Sequence, residues 1–303
     1  MTDPSDLRRH AAGNGRNVTG RRLVRDATAR LAAAGVASPE YDAAELLAHV
    51  LGTTRSGLAL LPEVPAEVAA VYDELVERRA GREPLQHLTG SAAFRYVELS
   101  VGPGVFVPRP ETELLAGWGI EQVRRVTDSG RGGRTPVVVD LCTGSGAIAL
   151  AVATEVPEAE VHAVELGDAA HEWATRNLAG SCVDLRHGDM AEAFHDLDGG
   201  VDVVLCNPPY IPLDAYESVA PEVRDHDPEL ALFSGADGLV AMRVLEGVAA
   251  RLLRESGVVG AEHADAQGEA APAVFLSTGR WREVRDHHDL AGRPRFVTAW
   301  LAR

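Results

Sequence analysis

Lysine is absent from this sequence, because all 29 of its basic residues are arginine. The absence excludes a phosphate-binding loop lysine, a Schiff-base lysine and a lysine general base. Cysteine is also scarce, and Cys142, Cys182 and Cys206 show no metal-ligand spacing. A sparse, odd set of cysteines fits a reducing compartment. The 11 histidines include no zinc-protease helix motif, so we expect no metal.

The sequence has no uninterrupted apolar run of membrane length, and its first 20 residues have no apolar core of the signal-peptide kind. We therefore expect a cytoplasmic protein that does not contact a membrane. The net charge of −16 argues against direct nucleic-acid binding, which normally needs a basic surface. Residues 1–20 are rich in arginine, and we expect them to form a disordered tail.

The pattern of apolar and turn residues divides the rest of the chain into three regions. Helical periodicity over 21–84, with Ser38 as an N-cap before Pro39, predicts a small helical domain. Alternation over 85–110, with the glycines of the Gly-Pro-Gly segment 102–104 in the turn, predicts a connecting β-hairpin. Strands and helices alternate over 111–303, which predicts a doubly wound parallel sheet closed by a final pair of strands.

A glycine-rich turn follows the first strand of the predicted sheet. Gly144 and Gly146 stand between the apolar run "PVVVDL" and a helical segment, and Glu165 ends the next strand. Glycines there allow a ligand to approach the backbone, and the acid can accept both hydroxyls of an adenosine ribose. These residues predict a cofactor that contains adenosine, and nicotinamide dinucleotide and S-adenosylmethionine both fit.

The fourth strand, "VDVVLC", ends in the sequence Asn-Pro-Pro-Tyr at 207–210. The prolines remove backbone donors and fix the turn, while Asn207 contributes a side-chain carbonyl and Tyr210 an aromatic face. A rigid site that is rich in acceptors suits a planar NH₂ group, held by both hydrogens between the side chain of Asn207 and the carbonyl of Pro208. This pattern favours transfer of a methyl group from S-adenosylmethionine to an amide or aromatic amine.

The segment "CNPPYI" resembles the motif of amino-methylating S-adenosylmethionine enzymes. Residues 81–115, "VVVDLCTGSGAIALAVA" and 227–239 are similar to segments of the HemK/PrmC family, the glutamine N(5)-methyltransferases that modify peptide chain release factors. The resemblance implies a class I methyltransferase: a Rossmann-like doubly wound sheet with an antiparallel last strand and an N-terminal substrate-recognition domain. It further implies methylation of the glutamine in the Gly-Gly-Gln motif of class I release factors, and we expect a monomer.

The resemblance assigns roles to particular residues. It implies that the cofactor is contacted by Asp140, Cys142, Thr143, Gly144, Ser145, Gly146, Glu165, Asp189, Met190 and Asn207. It implies that the glutamine is bound by Asn207, Pro208, Pro209 and Tyr210 beside Phe106 and Arg109, with Asn207, Pro208 and Tyr210 catalytic. Core packing of Phe106 and a structural ion pair of Arg109 remain open alternatives.

Three positions depart from the family pattern. Cys142 stands where the family usually has glycine, Glu165 replaces an aspartate, and Met190 stands where some members have an aromatic residue. Cys142 and Cys206 also raise the possibility of a nucleophile, but no base is placed for either, and packing is the simpler interpretation.

Four other functions are compatible with parts of the sequence. Adenine-N6 methylation of DNA or RNA uses an amine of the same geometry but needs phosphate contacts. Glutamine methylation of a ribosomal protein differs only in the protein recognised. A module that binds without catalysis would leave Asn-Pro-Pro-Tyr unexplained, and a dehydrogenase would need a hydride-transfer site that the sequence does not suggest.

Overall fold

The computed structural model describes residues 18–60, 63–128 and 134–302. The chain divides into two units, one through Thr89 and one from Gly90 onward. The expected disordered tail lies outside the described residues up to position 17. Its last residues are ordered, because Val18 pairs with Val64 in an isolated antiparallel bridge.

The first unit is a group of helices around an apolar core, as the periodicity predicts. Tyr72 is buried in this core and donates its hydroxyl to the carbonyl of Ala43 at 2.9 Å, since a buried phenol needs a partner. Ser38 precedes the second helix, as predicted, but its side chain makes no capping hydrogen bond. The elements are α1 (Gly20–Ala33), α2 (Pro39–Leu51), a 3₁₀ turn (Ser56–Leu60), α3 (Ala66–Ala80) and α4 (Leu85–Thr89).

The predicted hairpin is present, but its turn lies elsewhere. Strands β1 (Ser91–Phe94) and β2 (Val97–Ser100) pair antiparallel, so the connection is Arg95-Tyr96 and the prediction of a Gly-Pro-Gly turn was wrong. Arg95 adopts a φ of +50°, which closes a two-residue turn without glycine. The hairpin belongs to the second unit, where the side-chain amide of Asn177 bonds both the N–H and the carbonyl of Ser100.

A seven-stranded sheet forms the centre of the second unit, in the order β5-β4-β3-β6-β7-β9-β8. The five strands β3 to β7 run parallel, and β9 runs antiparallel between β7 and β8. This confirms the predicted doubly wound sheet with an antiparallel last strand. The remaining elements are α5 (Thr112–Asp128), β3 (Val137–Leu141), α6 (Ala147–Glu155), β4 (Glu160–Glu165), α7 (Asp168–Asn177), β5 (Asp184–His187), β6 (Val201–Cys206), α8 (Pro221–Arg224), α9 (Glu229–Leu232), α10 (Val240–Leu252), β7 (Leu253–Glu262), α11 (Ala270–Leu276), β8 (Trp281–His288) and β9 (Pro294–Leu301).

The topology places the two motifs side by side. Strand β6 is buried along its whole length, because apolar clusters cover both faces of the sheet. It pairs in parallel with β3, so Asn-Pro-Pro-Tyr and the glycine turn leave the same edge of the sheet. The order of strands reverses at β3, and a ligand site is expected beside such a reversal. Among the described residues, no helix is long and apolar enough to span a bilayer.

Candidate active site

A cavity of about 1030 Å³ opens at this edge of the sheet. Most of the predicted site residues line it: Phe106, Arg109, Cys142, Thr143, Gly144, Ser145, Glu165, Asp189, Met190, Asn207, Pro209 and Tyr210. The other three, Asp140, Gly146 and Pro208, are buried residues that lie outside this lining. The structure therefore brings the predicted cofactor and substrate residues together around one space.

The glycine turn requires its glycines. Gly144 and Gly146 adopt φ values of +58° and +85°, in the left-handed region that side chains disfavour. Gly146 caps the N-terminus of α6, and a Cβ there would lie 3.1 Å from Leu178. The turn therefore exposes backbone to the cavity at the start of a helix.

Asp140 stabilises the glycine turn through two hydrogen bonds. Its Oδ2 accepts hydrogen bonds from the hydroxyl of Thr143 at 2.5 Å and the amide of Ala149 at 3.1 Å. Burial raises the pKa of this carboxyl group to about 7, although the two donors oppose the shift. A direct cofactor contact of Asp140 stays a prediction, and the contacts seen here connect the end of β3 to α6.

The backbone conformation at Cys142 is one that favours glycine, the residue that the family usually has at this position. The residue adopts a φ of +57°, and its thiol contacts the sulfur of Met190 at 3.6 Å. Met190 lines the cavity with it. Burial raises the pKa of the neighbouring Cys206 thiol, so Cys206 stays protonated and packs as an apolar side chain.

We expect the free energy of unfolding to be at least as high for Cys142→Gly as for the unmodified chain, and lower for Cys142→Val. A left-handed backbone costs an L-residue roughly 1–2 kcal/mol. Glycine removes that cost but adds about 0.4–1 kcal/mol of unfolded-state entropy, while a β-branched side chain is more strained. Urea denaturation of the three proteins measures the order, and a valine variant more stable than the unmodified chain would contradict it.

Glu165 fastens the glycine turn to the next strand–helix connection. Its Oε2 accepts from the amide of Gly144 and its Oε1 from the amide of Gly167, both at 2.8 Å. Each carboxylate oxygen can accept a further hydrogen bond, and the side chain lines the cavity. The longer acid in place of aspartate is thus fixed in position and keeps acceptor capacity for two ribose hydroxyls.

Asn207 is oriented by a residue from the start of α5. One hydrogen of its Nδ2 goes to the hydroxyl of Thr112 at 3.3 Å, and the carbonyl oxygen Oδ1 at the other end of the amide is the acceptor available to a ligand. Pro208 is buried immediately behind it, and its predicted role as second acceptor stays a prediction. Asn207 lines the cavity, and an acceptor on this side chain agrees with the expectation of a bound NH₂ group.

Tyr210 is held at both ends. Its hydroxyl donates to Glu262 at 3.2 Å, and its carbonyl accepts from the side chain of Gln267 at 3.1 Å. Gly238 passes so close that a Cβ would lie 2.3 Å from that carbonyl, which only glycine permits. The predicted Asn-Pro-Pro-Tyr turn is therefore fixed by residues from three later segments.

Phe106 and Arg109 lie on the side of the cavity that follows the hairpin. Arg109 forms an ion pair with Asp227 at 2.9 Å, and its guanidinium lies 4.9 Å from the centre of the Phe106 ring. Burial raises the pKa of Asp227 to about 6, against the effect of Arg109. Arg109 thus takes part in the structural ion pair that the sequence left open, and it also lines the cavity.

Sequence reasoning missed Thr112, Glu262 and Gln267. Thr112 lies inside the segment 81–115 that resembles the family, and Glu262 ends the strand beside β6. An acid at the end of a strand next to the motif strand was the available signal, since the carboxyl ends of neighbouring parallel strands share one edge. In the part of the chain described, no group of three or more His, Cys, Asp or Glu side chains is placed to hold a metal ion.

Two family models match the chain. The "PrmC N-terminal domain" matches residues 22–90, and the "Methyltransferase small domain" matches residues 128–222. Among solved structures, the hMettl16 catalytic domain superposes with a TM-score of 0.51 at 14% identity, covering 67% of this chain and 75% of that one. This structural likeness supports the methyltransferase fold.

Curated relatives cover nearly the whole chain. The release factor glutamine methyltransferase of Streptomyces coelicolor is 58% identical, over 91% of this chain and 96% of its own. That of Mycolicibacterium smegmatis is 47% identical, over 92% and 96%. A 4-amino-L-phenylalanine/4-methylamino-L-phenylalanine methyltransferase of Streptomyces pristinaespiralis is 40% identical, over 84% and 87%. With the cavity, the glycine turn and the Asn-Pro-Pro-Tyr turn at 207–210 (the acceptor turn) in place, the chain belongs to the family of release factor glutamine methyltransferases.

Proposed function

We propose that this protein transfers the methyl group of S-adenosylmethionine to the side-chain amide nitrogen of glutamine in the Gly-Gly-Gln motif of class I peptide chain release factors. The observation that carries the proposal is the 58% identity, over 91% of the chain, with a release factor glutamine methyltransferase. The product of the cofactor is S-adenosylhomocysteine.

The residues around the cavity fit S-adenosylmethionine. Glu165 keeps acceptor capacity for the ribose hydroxyls, and Gly144, which lines the cavity, leaves the backbone open to the cofactor. Cys142 and Met190 present an apolar, polarisable surface beside them. When bound, the cofactor supplies an electrophilic methyl group on a sulfonium.

The acceptor turn acts on the glutamine amide. An amide nitrogen is a weak nucleophile, because its lone pair is delocalised. Oδ1 of Asn207 and the carbonyl of Pro208 accept its two hydrogens, which fixes the plane of the amide and stabilises positive charge that develops on the nitrogen. Tyr210 lies against the side chain of the bound glutamine. Phe106 and Arg109 line the cavity next to it.

Substrate recognition is assigned to the helical first unit, which the "PrmC N-terminal domain" model matches over residues 22–90. The protein acts as a monomer in the cytoplasm, where release factors are found. The net charge of −16 disfavours direct contact with nucleic acid, so adenine-N6 methylation is the weaker alternative. Glutamine methylation of a ribosomal protein uses the same site chemistry, and only an experiment distinguishes it from methylation of a release factor.

One comparison favours a second candidate substrate for methylation. The relative that is 40% identical is named for an aromatic amine of a free amino acid, and an aryl NH₂ is planar like an amide. The relatives that are 58% and 47% identical both carry the release factor name. This supports glutamine over an aromatic amine as the substrate.

The proposal is tested by following labelled methyl transfer from S-adenosylmethionine to a panel of acceptors. The panel contains a class I release factor, its glutamine-to-glutamate variant in Gly-Gly-Gln, ribosomal proteins, duplex DNA and 4-amino-L-phenylalanine. We expect transfer to the unmodified release factor and none to its variant. Transfer to 4-amino-L-phenylalanine or DNA, with none to the release factor, would overturn the assignment.

A further inference from the structure

A buried carboxylate lies directly behind the acceptor turn. Glu262, at the end of β7, is only 1% exposed. Its Oε2 accepts from the hydroxyl of Thr112 at 2.7 Å, and its Oε1 accepts from the hydroxyl of Tyr210 at 3.2 Å. Each oxygen therefore serves a different residue beside the cavity, and both donors belong to residues that line it.

The direction of these hydrogen bonds fixes the orientation of Asn207. A threonine hydroxyl has one hydrogen and can accept through its lone pairs. Because that hydrogen goes to Glu262, Thr112 can only accept from Asn207, and the group that donates at 3.3 Å is Nδ2. The opposite atom of the amide, Oδ1, is then the one that meets the substrate.

We propose that Glu262 is a positioning residue for methyl transfer, which acts through Thr112 and Tyr210 to present the acceptor oxygen of Asn207 to the substrate amide. The inference rests on the proposed function and deepens it. Glu262 does not touch the reacting atoms in this arrangement. It sets which end of the Asn207 side chain faces them.

The ionisation state of Glu262 matters for this role. An ionised carboxylate only accepts, so both hydroxyls must donate to it. A protonated carboxyl group can donate to Thr112, whose hydrogen is then free to bond Oδ1 of Asn207 if the amide flips. The flip turns Oδ1 toward Thr112 and presents Nδ2, a donor, to the substrate. The active form is therefore the ionised one.

Burial raises the pKa of Glu262 to about 7, while Thr112, Arg295 and Tyr210 lower it and Glu111 raises it further. These are the polar and charged groups that act on it from α5, β9, the acceptor turn and the segment before α5. In the folded protein, the ionised fraction of Glu262 therefore grows as the pH rises through about 7. The rate of methyl transfer should increase over the same interval.

The test compares the unmodified protein with Glu262→Gln, Thr112→Val and Thr112→Ser. A glutamine side chain has the same shape but offers an NH₂ donor at one of the two positions, and valine removes the anchor of Asn207. We expect kcat to fall by up to about 10²-fold in Glu262→Gln and Thr112→Val, because a displaced catalytic group commonly costs that much. Thr112→Ser keeps the hydroxyl and should restore most of the rate.

Two readouts separate positioning from a structural role. The affinity for S-adenosylmethionine should be unchanged in all three variants, and the rise of kcat near neutral pH should disappear in Glu262→Gln. Asp140 and Asp227 also have raised pKa values, of about 7 and about 6. An inflection that survives unchanged in Glu262→Gln would therefore not come from Glu262 and would count against its role.

Glu246 provides a matched control. It is a buried glutamate of α10 that accepts hydrogen bonds from Thr278, Arg280 and Trp281, and none of these partners lines the cavity. Glu246→Gln should lower stability and leave kcat and its pH profile unchanged. If the unmodified protein methylates its substrate and Glu262→Gln retains its kcat and pH profile, the positioning role is overturned. If the unmodified protein does not methylate the release factor, the proposed function fails instead.

Discussion

Asn207→Ala is expected to lower the single-turnover rate of release factor methylation by about 10²–10³-fold, the usual cost of losing one preorganised group that stabilises charge in the transition state. The affinity for S-adenosylmethionine should change little, because Oδ1 of Asn207 is assigned to the substrate amide. A large loss of affinity would instead support the cofactor contact that the resemblance also implies for Asn207. The backbone should stay in place, since Pro208 is buried and Tyr210 is held at both ends. Rapid-quench methylation and calorimetry of cofactor binding measure the two effects separately.

Asn207→Asp is the sharper variant of this experiment. The shape and an acceptor oxygen are kept, but a carboxylate cannot donate to Thr112, whose own hydrogen is committed to Glu262. We expect the new carboxylate to compete for that hydrogen, and its charge to hold the substrate amide too firmly in the ground state. Both variants should therefore be slow. Near-normal turnover by Asn207→Ala would show that the turn is scaffolding and that the amide is held elsewhere.

Glu165→Ala is expected to weaken S-adenosylmethionine binding by about 1.5–3 kcal/mol, the range for hydrogen bonds to a charged group. This corresponds to roughly a 10- to 150-fold higher Kd. The reason is twofold, because Glu165 accepts from the amides of Gly144 and Gly167 and also has acceptor capacity for the ribose. Isothermal calorimetry on the folded variant gives the change.

A double-mutant cycle separates the two contributions of Glu165. The second partner is an S-adenosylmethionine analogue that lacks the ribose hydroxyls. If Glu165 binds those hydroxyls, the unmodified protein should bind the analogue weakly, and Glu165→Ala should lose much less affinity for it than for S-adenosylmethionine. Equal losses for both ligands would leave Glu165 only its role in fastening the glycine turn.

The parts of the site that the sequence predicts are contiguous motifs at strand ends. The glycine turn and Asn-Pro-Pro-Tyr each follow an apolar run, and the rule that ligands bind at the carboxyl edge of a parallel sheet places them together. Glu165 follows from the same rule. The structure confirms the sheet and gathers these side chains around one cavity.

The residues that the sequence does not reveal act through long-range pairing. Thr112 and Glu262 are 150 positions apart, and neither belongs to a pattern that marks it as polar support for Asn207. The turn of the hairpin was misplaced for a different reason. Glycine and proline are the local signals of a turn, whereas Arg95 enters the left-handed region without either. Long-range pairing therefore decided the first case, and an arginine in the left-handed region decided the second.

Tandem mass spectrometry of a class I release factor, after incubation with this protein and S-adenosylmethionine, tests the central claim most directly. The account predicts a mass gain of one methyl group, localised by fragmentation to the side chain of the glutamine in Gly-Gly-Gln, and a strongly reduced yield of this product at matched incubation times when Asn207→Ala replaces the unmodified enzyme. A methyl group on any other residue of the release factor, or an unmodified glutamine in the presence of active cofactor binding, would contradict it.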